Sequence, residues 1–342
     1  MIKRVFLLTI ISSFIFICCN NAITSKNEIA LWPEIEPYES GYMKVSDIHE
    51  IYYEICGNPE GKPVFVIHGG PGRGCSPYER RFFNPEVFNI VLHDQRGAGK
   101  SKPTAELREN TTQFLIKDIE NLRIKLKLDK IILFGGSWGS TLSLAYAEAY
   151  PENVEAIILR AVYLPSIEEK DFWVDVAPKF FPHEFEALVN AYPDSMLPPT
   201  GQNMFQLLNS EDKSISVKFA KLIDRFEWKA CFLYVDEAEL DKYYGSKDNE
   251  EEILRNALIE HYYCSKGCFL DDGQLLRDAY KIKHIPTIIV NGRYDIVCPP
   301  IYAYKLHKML DNSKLIIAEK AGHYITEIPI ERELLLAMRE FE

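Results

Sequence analysis

The chain has 342 residues, of which 47% are apolar, 26% charged and 12% aromatic, a composition that buries a large core and excludes a disordered or fibrous protein. Its formal charge of −11 offers no basic footprint to nucleic-acid phosphates, which excludes that class of partner. The length suits one large α/β domain or two modest ones.

Residues 1–19 read as an export signal. Lys3 and Arg4 precede an apolar run over 5–17 that is too short to span a bilayer, and Cys18, Cys19 and a polar stretch follow. A cysteine directly after the apolar run resembles the bacterial lipoprotein pattern, in which the cysteine becomes the acylated N-terminus. Cys19 is the better candidate because Cys18 places a smaller residue before it than Ile17 places before Cys18. The expectation is an exported protein, held at a membrane by this lipid or periplasmic. A plain secretory peptide, an uncleaved anchor or a cytoplasmic location are the alternatives. The other six cysteines are too dispersed for a disulfide scaffold; Cys264 and Cys268 are close enough to pair, but buried small hydrophobes fit better.

From residue 20 onward the elements sort by period. Residues 42–56 alternate as a hairpin, and short β-rich apolar runs follow at 63–67, 88–92, 130–134 and 154–159. Helical stretches at 112–126 and 141–149 lie between them, so a mostly parallel sheet with helices on both faces is expected over 20–164. Residues 165–280 are helical in period, broken by prolines, with no convincing buried strand. That segment holds 23 Asp and Glu against 12 Lys and Arg, a net −11, whereas the rest of the chain has 27 of each sign. Strands resume at 285–290 and 314–318, and an amphipathic helix at 330–338 closes a second core segment over 281–342. An α/β sheet interrupted by an acidic helical cap is the economical architecture.

The strongest chemical signal is Gly135-Gly136-Ser137-Trp138-Gly139, between a buried strand and a helix. A serine in so sharp a turn needs small neighbours, and its hydroxyl then projects from the sheet at a helix N-terminus. It requires a base and an orienting acid in the order Ser, Asp, His at later strand ends. Asp295, in Gly292-Arg293-Tyr294-Asp295, and His323, in Ala321-Gly322-His323-Tyr324, occupy those places. His49, His93, His183, His261, His284 and His307 lack such placement and read as structural or solvated. His68-Gly69-Gly70-Pro71-Gly72 follows the strand at 63–67, so the Gly70 N–H can join the Trp138 N–H as an oxyanion hole. A phosphate loop is the rival, but it lacks the Lys-Ser/Thr ending.

These motifs, with Asp94-Gln95-Arg96-Gly97-Ala98-Gly99-Lys100-Ser101 and Asn110-Thr111-Thr112, closely resemble the prolyl aminopeptidases (proline iminopeptidases) of the α/β-hydrolase superfamily from about Tyr42 to the C-terminus. The resemblance implies a serine exopeptidase acting on peptides with a free N-terminal proline, with Ser137, Asp295 and His323 as triad and no metal or cofactor. It also implies that cap glutamates hold the substrate's amino terminus: Glu227 in Phe226-Glu227 and Glu260 in Glu260-His261-Tyr262-Tyr263 match those sites. Tyr163 and Trp173 match the aromatic proline pocket. Where the family usually has an aromatic residue four positions after the second glutamate, this chain has Cys264, which implies a roomier or differently shaped pocket. An aminopeptidase of broader preference or an esterase on the same scaffold is the alternative, and a catalytically silent peptide-binding lipoprotein is another. The oligomeric state has no signature in the sequence.

Overall fold

The structure, a computed structural model, describes residues 29–166 and 176–342; Cys18, Cys19 and Trp173 lie outside the described residues. The alternating segment near the start forms an antiparallel hairpin of β1 (Glu39–Lys44) and β2 (Glu50–Gly57). The apolar runs become β3 (Lys62–Ile67), β4 (Phe88–His93), β5 (Ile131–Ser137), β6 (Val154–Val162), β7 (Thr287–Gly292) and β8 (Ser313–Ala318). They form one eight-stranded sheet in the order β1-β2-β4-β3-β5-β6-β7-β8. The β2–β4 pair is antiparallel and every pair beyond β4 is parallel. Buried on both faces, β4 and β7 carry no exposed residue, as expected for parallel strands covered by helices.

After β4 and β5 come helices α1 (Thr112–Lys125) and α2 (Trp138–Ala149). Between β6 and β7 the described residues are helical, with no strand: α3 (Pro182–Ala191), α4 (Gly201–Leu208), α5 (Lys213–Cys231), α6 (Glu237–Gly245) and α7 (Glu250–Ser265) are the longer pieces. Pro182 opens α3 in its first turn, where a missing N–H costs nothing. The side chains of Thr200, Asp212 and Asp236 accept from the first-turn N–H groups of α4, α5 and α6. These caps explain why polar breaks punctuate the segment. Helices α8 (Pro300–Met309) and α9 (Ile328–Arg339) complete the chain.

Strand alternation divides the core. Phe65 and Ile67 face one side with residues of α1, α2 and α8, while Val64 and Val66 face the other with Phe82, Phe83 and α9. A third cluster lies wholly in the helical segment and includes Phe219, Ile223 and Phe226 of α5 and Ile253 and Ala257 of α7. Farther along α7, Ile259 and Tyr263 belong to the sheet's own cluster. One helix therefore enters both cores, which ties the acidic segment to the sheet.

The Asp94–Ser101 loop is anchored from beneath. Arg96 donates through Nε and Nη2 to both oxygens of Asp118 on α1, at 2.6 and 2.8 Å, and both residues are buried. Asn110 holds the Arg96 carbonyl at 2.9 Å. Removing one partner strands a buried charge, a loss of about 3–5 kcal/mol. Arg96→Met should lower unfolding stability on that scale in urea melts, and Arg96→Met with Asp118→Leu should recover much of it.

Candidate active site

Strand β5 runs through Gly135 and Gly136 to Ser137, and α2 begins at the next residue. Ser137 has φ 57° and ψ −128°, a conformation that costs a serine energy and persists only where the surroundings enforce it. Enforcement comes from close backbone packing: a Cβ on Gly139 would lie 2.0 Å from the Ile67 carbonyl oxygen. Only glycine lets α2 start this near β3. Ser140 Oγ donates to the Ser137 carbonyl at 2.6 Å and stiffens the turn. Ser137 thus opens on a cavity of about 520 Å³.

Asp295 follows β7 in a tight turn. Its Oδ1 accepts from the N–H groups of Val297 and Cys298 at 3.0 and 2.7 Å, and it is 2% exposed. His323 Nδ1 faces both of its oxygens, at 3.1 and 3.0 Å. A carboxylate accepts only, so His323 carries its proton on Nδ1 and leaves Nε2 as an acceptor. The two loops pass so closely that a Cβ on Gly292 would lie 1.9 Å from the Gly322 carbonyl oxygen. The main chain of His323 is held as well: its N–H donates to the Cys231 carbonyl at 3.0 Å, and its carbonyl accepts from Arg160. Ser137 and His323 line the same cavity, and Asp295 lies behind the histidine.

Gly69 and Gly70 line that cavity beside Ser137. The Trp138 ring is fully buried, packed edge-on against Tyr263 with ring centroids 4.9 Å apart. Tyr263 in turn donates to Asn110 Oδ1 at 2.7 Å. Tyr263 lies three residues beyond Glu260, so this contact sets the end of α7 over the serine turn.

Both sequence-predicted glutamates reach the cavity, Glu227 from α5 and Glu260 from α7. They meet two residues that sequence reading missed. Arg73, from the glycine-rich loop, has Nη2 at 3.2 Å from Asp224 Oδ1 and 3.9 Å from Glu227 Oε2. Tyr244 donates to the other Asp224 oxygen at 2.6 Å. Three carboxyl groups thus share one guanidinium. Burial first, then the charges of Glu260 and Asp224, pushes the Glu227 carboxyl well above its usual range against the pull of Arg73. Burial likewise pushes Glu260 up to about 7. Glu227 Oε1 is buried with no hydrogen-bond donor among the described residues. The i, i+3 spacing of Asp224 and Glu227 on one helix was the available signal for Asp224. Nothing in the sequence placed Arg73 there.

Tyr163 is held beside the serine turn, its N–H donating to Ser140 Oγ at 3.0 Å and its carbonyl accepting from Thr141 Oγ1 at 2.7 Å. It is absent from the described cavity lining, and its hydroxyl sits 3.8 Å from Cys268 Sγ. Its ring packs against the sheet's core cluster. Cys264 and Cys268 are free thiols, and Cys264 too is absent from the described lining. Of the remaining histidines, His49, His93 and His261 are buried, and His183 and His284 are exposed at the surface. Trp228 and Tyr324 are aromatic lining residues that sequence reading did not single out.

A carboxyl whose folded-state pKa is raised binds its proton more tightly folded than unfolded. The stability this contributes is present below the unfolded value near 4.5 and is lost as pH rises through about 7. Wild-type protein should therefore lose stability across that window in chemical denaturation, and Glu260→Gln should flatten the slope.

The chain matches a family model described as the alpha/beta hydrolase fold over residues 62–327. It is 41% identical over 320 residues to the proline iminopeptidase of Arabidopsis thaliana, covering 93% of this chain and 83% of that protein. It is 42% identical over 300 residues to the proline iminopeptidase of Xylella fastidiosa, covering 86% and 93%. Among solved structures it is similar in fold to an esterase from Exiguobacterium antarcticum, with a TM-score of 0.61 at 21% identity and coverage of 88% and 99%. With this extent of likeness and the strand–serine–helix turn in place, the chain belongs to the proline iminopeptidase family of α/β-hydrolases.

Proposed function

We propose that this enzyme removes N-terminal proline from peptides through Ser137, His323 and Asp295. The observation that carries the reading is one cavity lined by Ser137 and His323 together with a carboxyl pair, Glu227 and Glu260, suited to a cationic chain end. The relatives named proline iminopeptidases support the choice of substrate. The substrate's protonated amine lies between the carboxyl groups of Glu227 and Glu260, and any proton they hold passes to water. His323 Nε2 takes the Ser137 proton as the hydroxyl oxygen attacks the proline carbonyl, and Asp295 stabilises the imidazolium. Charge on the carbonyl oxygen is met by the N–H groups of Gly70 and Trp138. His323 then protonates the leaving amine, and water releases proline from the acyl-enzyme by the same steps in reverse order.

A serine-directed phosphonate should label wild-type protein at Ser137, and Ser137→Ala should retain under about a thousandth of wild-type turnover. Glu227→Gln and Glu260→Gln should each lower kcat/KM on proline arylamide by roughly tenfold to a thousandfold, because charge-assisted hydrogen bonds to the amine are lost. Both should leave hydrolysis of a small acyl ester, which has no amine, near wild type. Equal cleavage of N-acetylated and free peptides would overturn the exopeptidase reading. Broader aminopeptidase action is the second reading, favoured by Cys264 standing where the family usually has an aromatic residue. Comparable kcat/KM on alanine and proline arylamides would establish it.

We also propose that residues 1–19 direct export and that Cys19 is acylated, on the charged, apolar and cysteine order of the sequence. Mature protein should then be shorter than the full chain and partition with membranes, and joint Cys18→Ala and Cys19→Ala should release or misprocess it. A wholly soluble cytoplasmic protein that retains Met1 would overturn this.

A further inference from the structure

The Asp94–Ser101 loop supplies no hydroxyl, imidazole or carboxyl to the proposed reaction, yet Gln95 within it is 3% exposed and fully engaged. Three of its groups bond to the two segments that meet at Ser137. Its side-chain Oε1 accepts from the Trp138 indole Nε1 at 2.8 Å. Its Nε2 donates to the His68 carbonyl at 2.9 Å. Its main-chain N–H donates to His68 Nε2 at 3.0 Å.

The last bond decides the histidine's form. A ring nitrogen that accepts from a main-chain N–H is unprotonated, so the neutral imidazole carries its proton on Nδ1. Burial favours that neutral form and lowers the His68 pKa. Nδ1 faces both the Gly69 carbonyl oxygen at 2.9 Å and the Gly74 N–H at 3.3 Å; with Nε2 accepting from Gln95, Nδ1 bears the proton and donates to the nearer Gly69 carbonyl. Gly69 and Gly70 share one planar trans peptide, in which the C=O and the following N–H point in opposite directions. Fixing the Gly69 carbonyl toward the imidazole therefore fixes the Gly70 N–H the other way.

We propose that Gln95 and His68 form a buried clamp that aims the two oxyanion-binding N–H groups, with Gln95 as a positioning residue that joins the Gly70 loop to the Trp138 turn. The inference rests on the proposed serine mechanism. Its foundation is rigid, because the adjoining Arg96 is fixed by two bonds to Asp118. Each of the three Gln95 groups meets a partner of the opposite kind in a buried region, where a mismatch is costly and alternative arrangements are few.

The test uses the full chain with Gln95→Leu, which removes both side-chain bonds, and Gln95→Glu, which keeps an acceptor for Trp138 but has no donor for the His68 carbonyl. Misaimed oxyanion donors should lower kcat on proline arylamide by roughly tenfold to a hundredfold with KM within about threefold. A prolyl boronate, whose tetrahedral serine adduct needs the hole, should weaken in proportion to kcat, while inhibition by free proline stays unchanged. Gln95→Leu combined with Trp138→Phe should cost little more than the larger single change, because both sever one bond. Folded variants with wild-type kcat and boronate affinity would overturn the clamp. So would losses shared equally by boronate and proline, which report a general collapse of the site. Wild-type protein that resists the phosphonate overturns the serine mechanism and the clamp together; labelled wild type with unaffected variants overturns the clamp alone.

Discussion

The edge-to-face contact between Tyr263 and Trp138 is the one on which the two halves of the site depend. Trp138 is the residue after Ser137, and Tyr263 is three residues past Glu260. A single pair of buried rings thus converts the rigidity of the sheet into a fixed spacing between the proposed nucleophile and the acidic pair. Asn110 orients the tyrosine through its hydroxyl, so the contact resists rotation as well as separation. Burial of two large rings stabilises the docking, and the hydrogen bond restricts it to one geometry. Farther from the cavity, the other end of α7 packs into the helical segment's own cluster, which spreads the constraint to α5 and Glu227.

The acidic excess of residues 165–280 has two parts with different physics. Most of it is solvated: Lys221 pairs with Glu250, and Arg225 with Glu237 and Asp241, on partly exposed surface where such pairs contribute little. Asp224, Glu227 and Glu260 are of another kind, because they face one another and Arg73 where water is scarce. Burial and mutual repulsion disfavour charge on Glu227 and Glu260 there, against the pull of Arg73. In the proposed function an ammonium group between them relieves that repulsion.

What the sequence disclosed, and what it withheld, follows from how far each constraint acts along the chain. Ser137 was legible because a strained strand-to-helix turn imposes small residues within two positions of it. Asp295 and His323 were legible from their strand ends, and Gly292 marks where their loops touch. The hairpin, six strands and flanking helices announced themselves through period. Boundaries moved where the turn itself extended an element: β5 continues to Ser137 and α2 starts at Trp138, three residues before its helical period becomes visible. Arg73 escaped notice because its partners lie about 150 residues away and only folding joins them.

These placements separate two kinds of selectivity. In the proposed function the carboxyl pair recognises a charge, and any unblocked amino terminus carries one. An acylated chain brings no cation to the pair and must bury an amide against it. On that reading the pair selects for a chain end whatever the ring that follows. Recognition of proline itself has to come from walls around the pyrrolidine. With Tyr163 and Cys264 both absent from the described lining, the described aromatic candidates on the cavity are Tyr78, Phe134, Trp228, Tyr243 and Tyr324. Trp228 and Tyr324 pack together at 5.2 Å, one beside Glu227 in sequence and the other beside His323. In the proposed function, where Glu227 holds the amine and His323 moves the proton, that pair of rings on the same cavity is suited to contact the substrate's first residue.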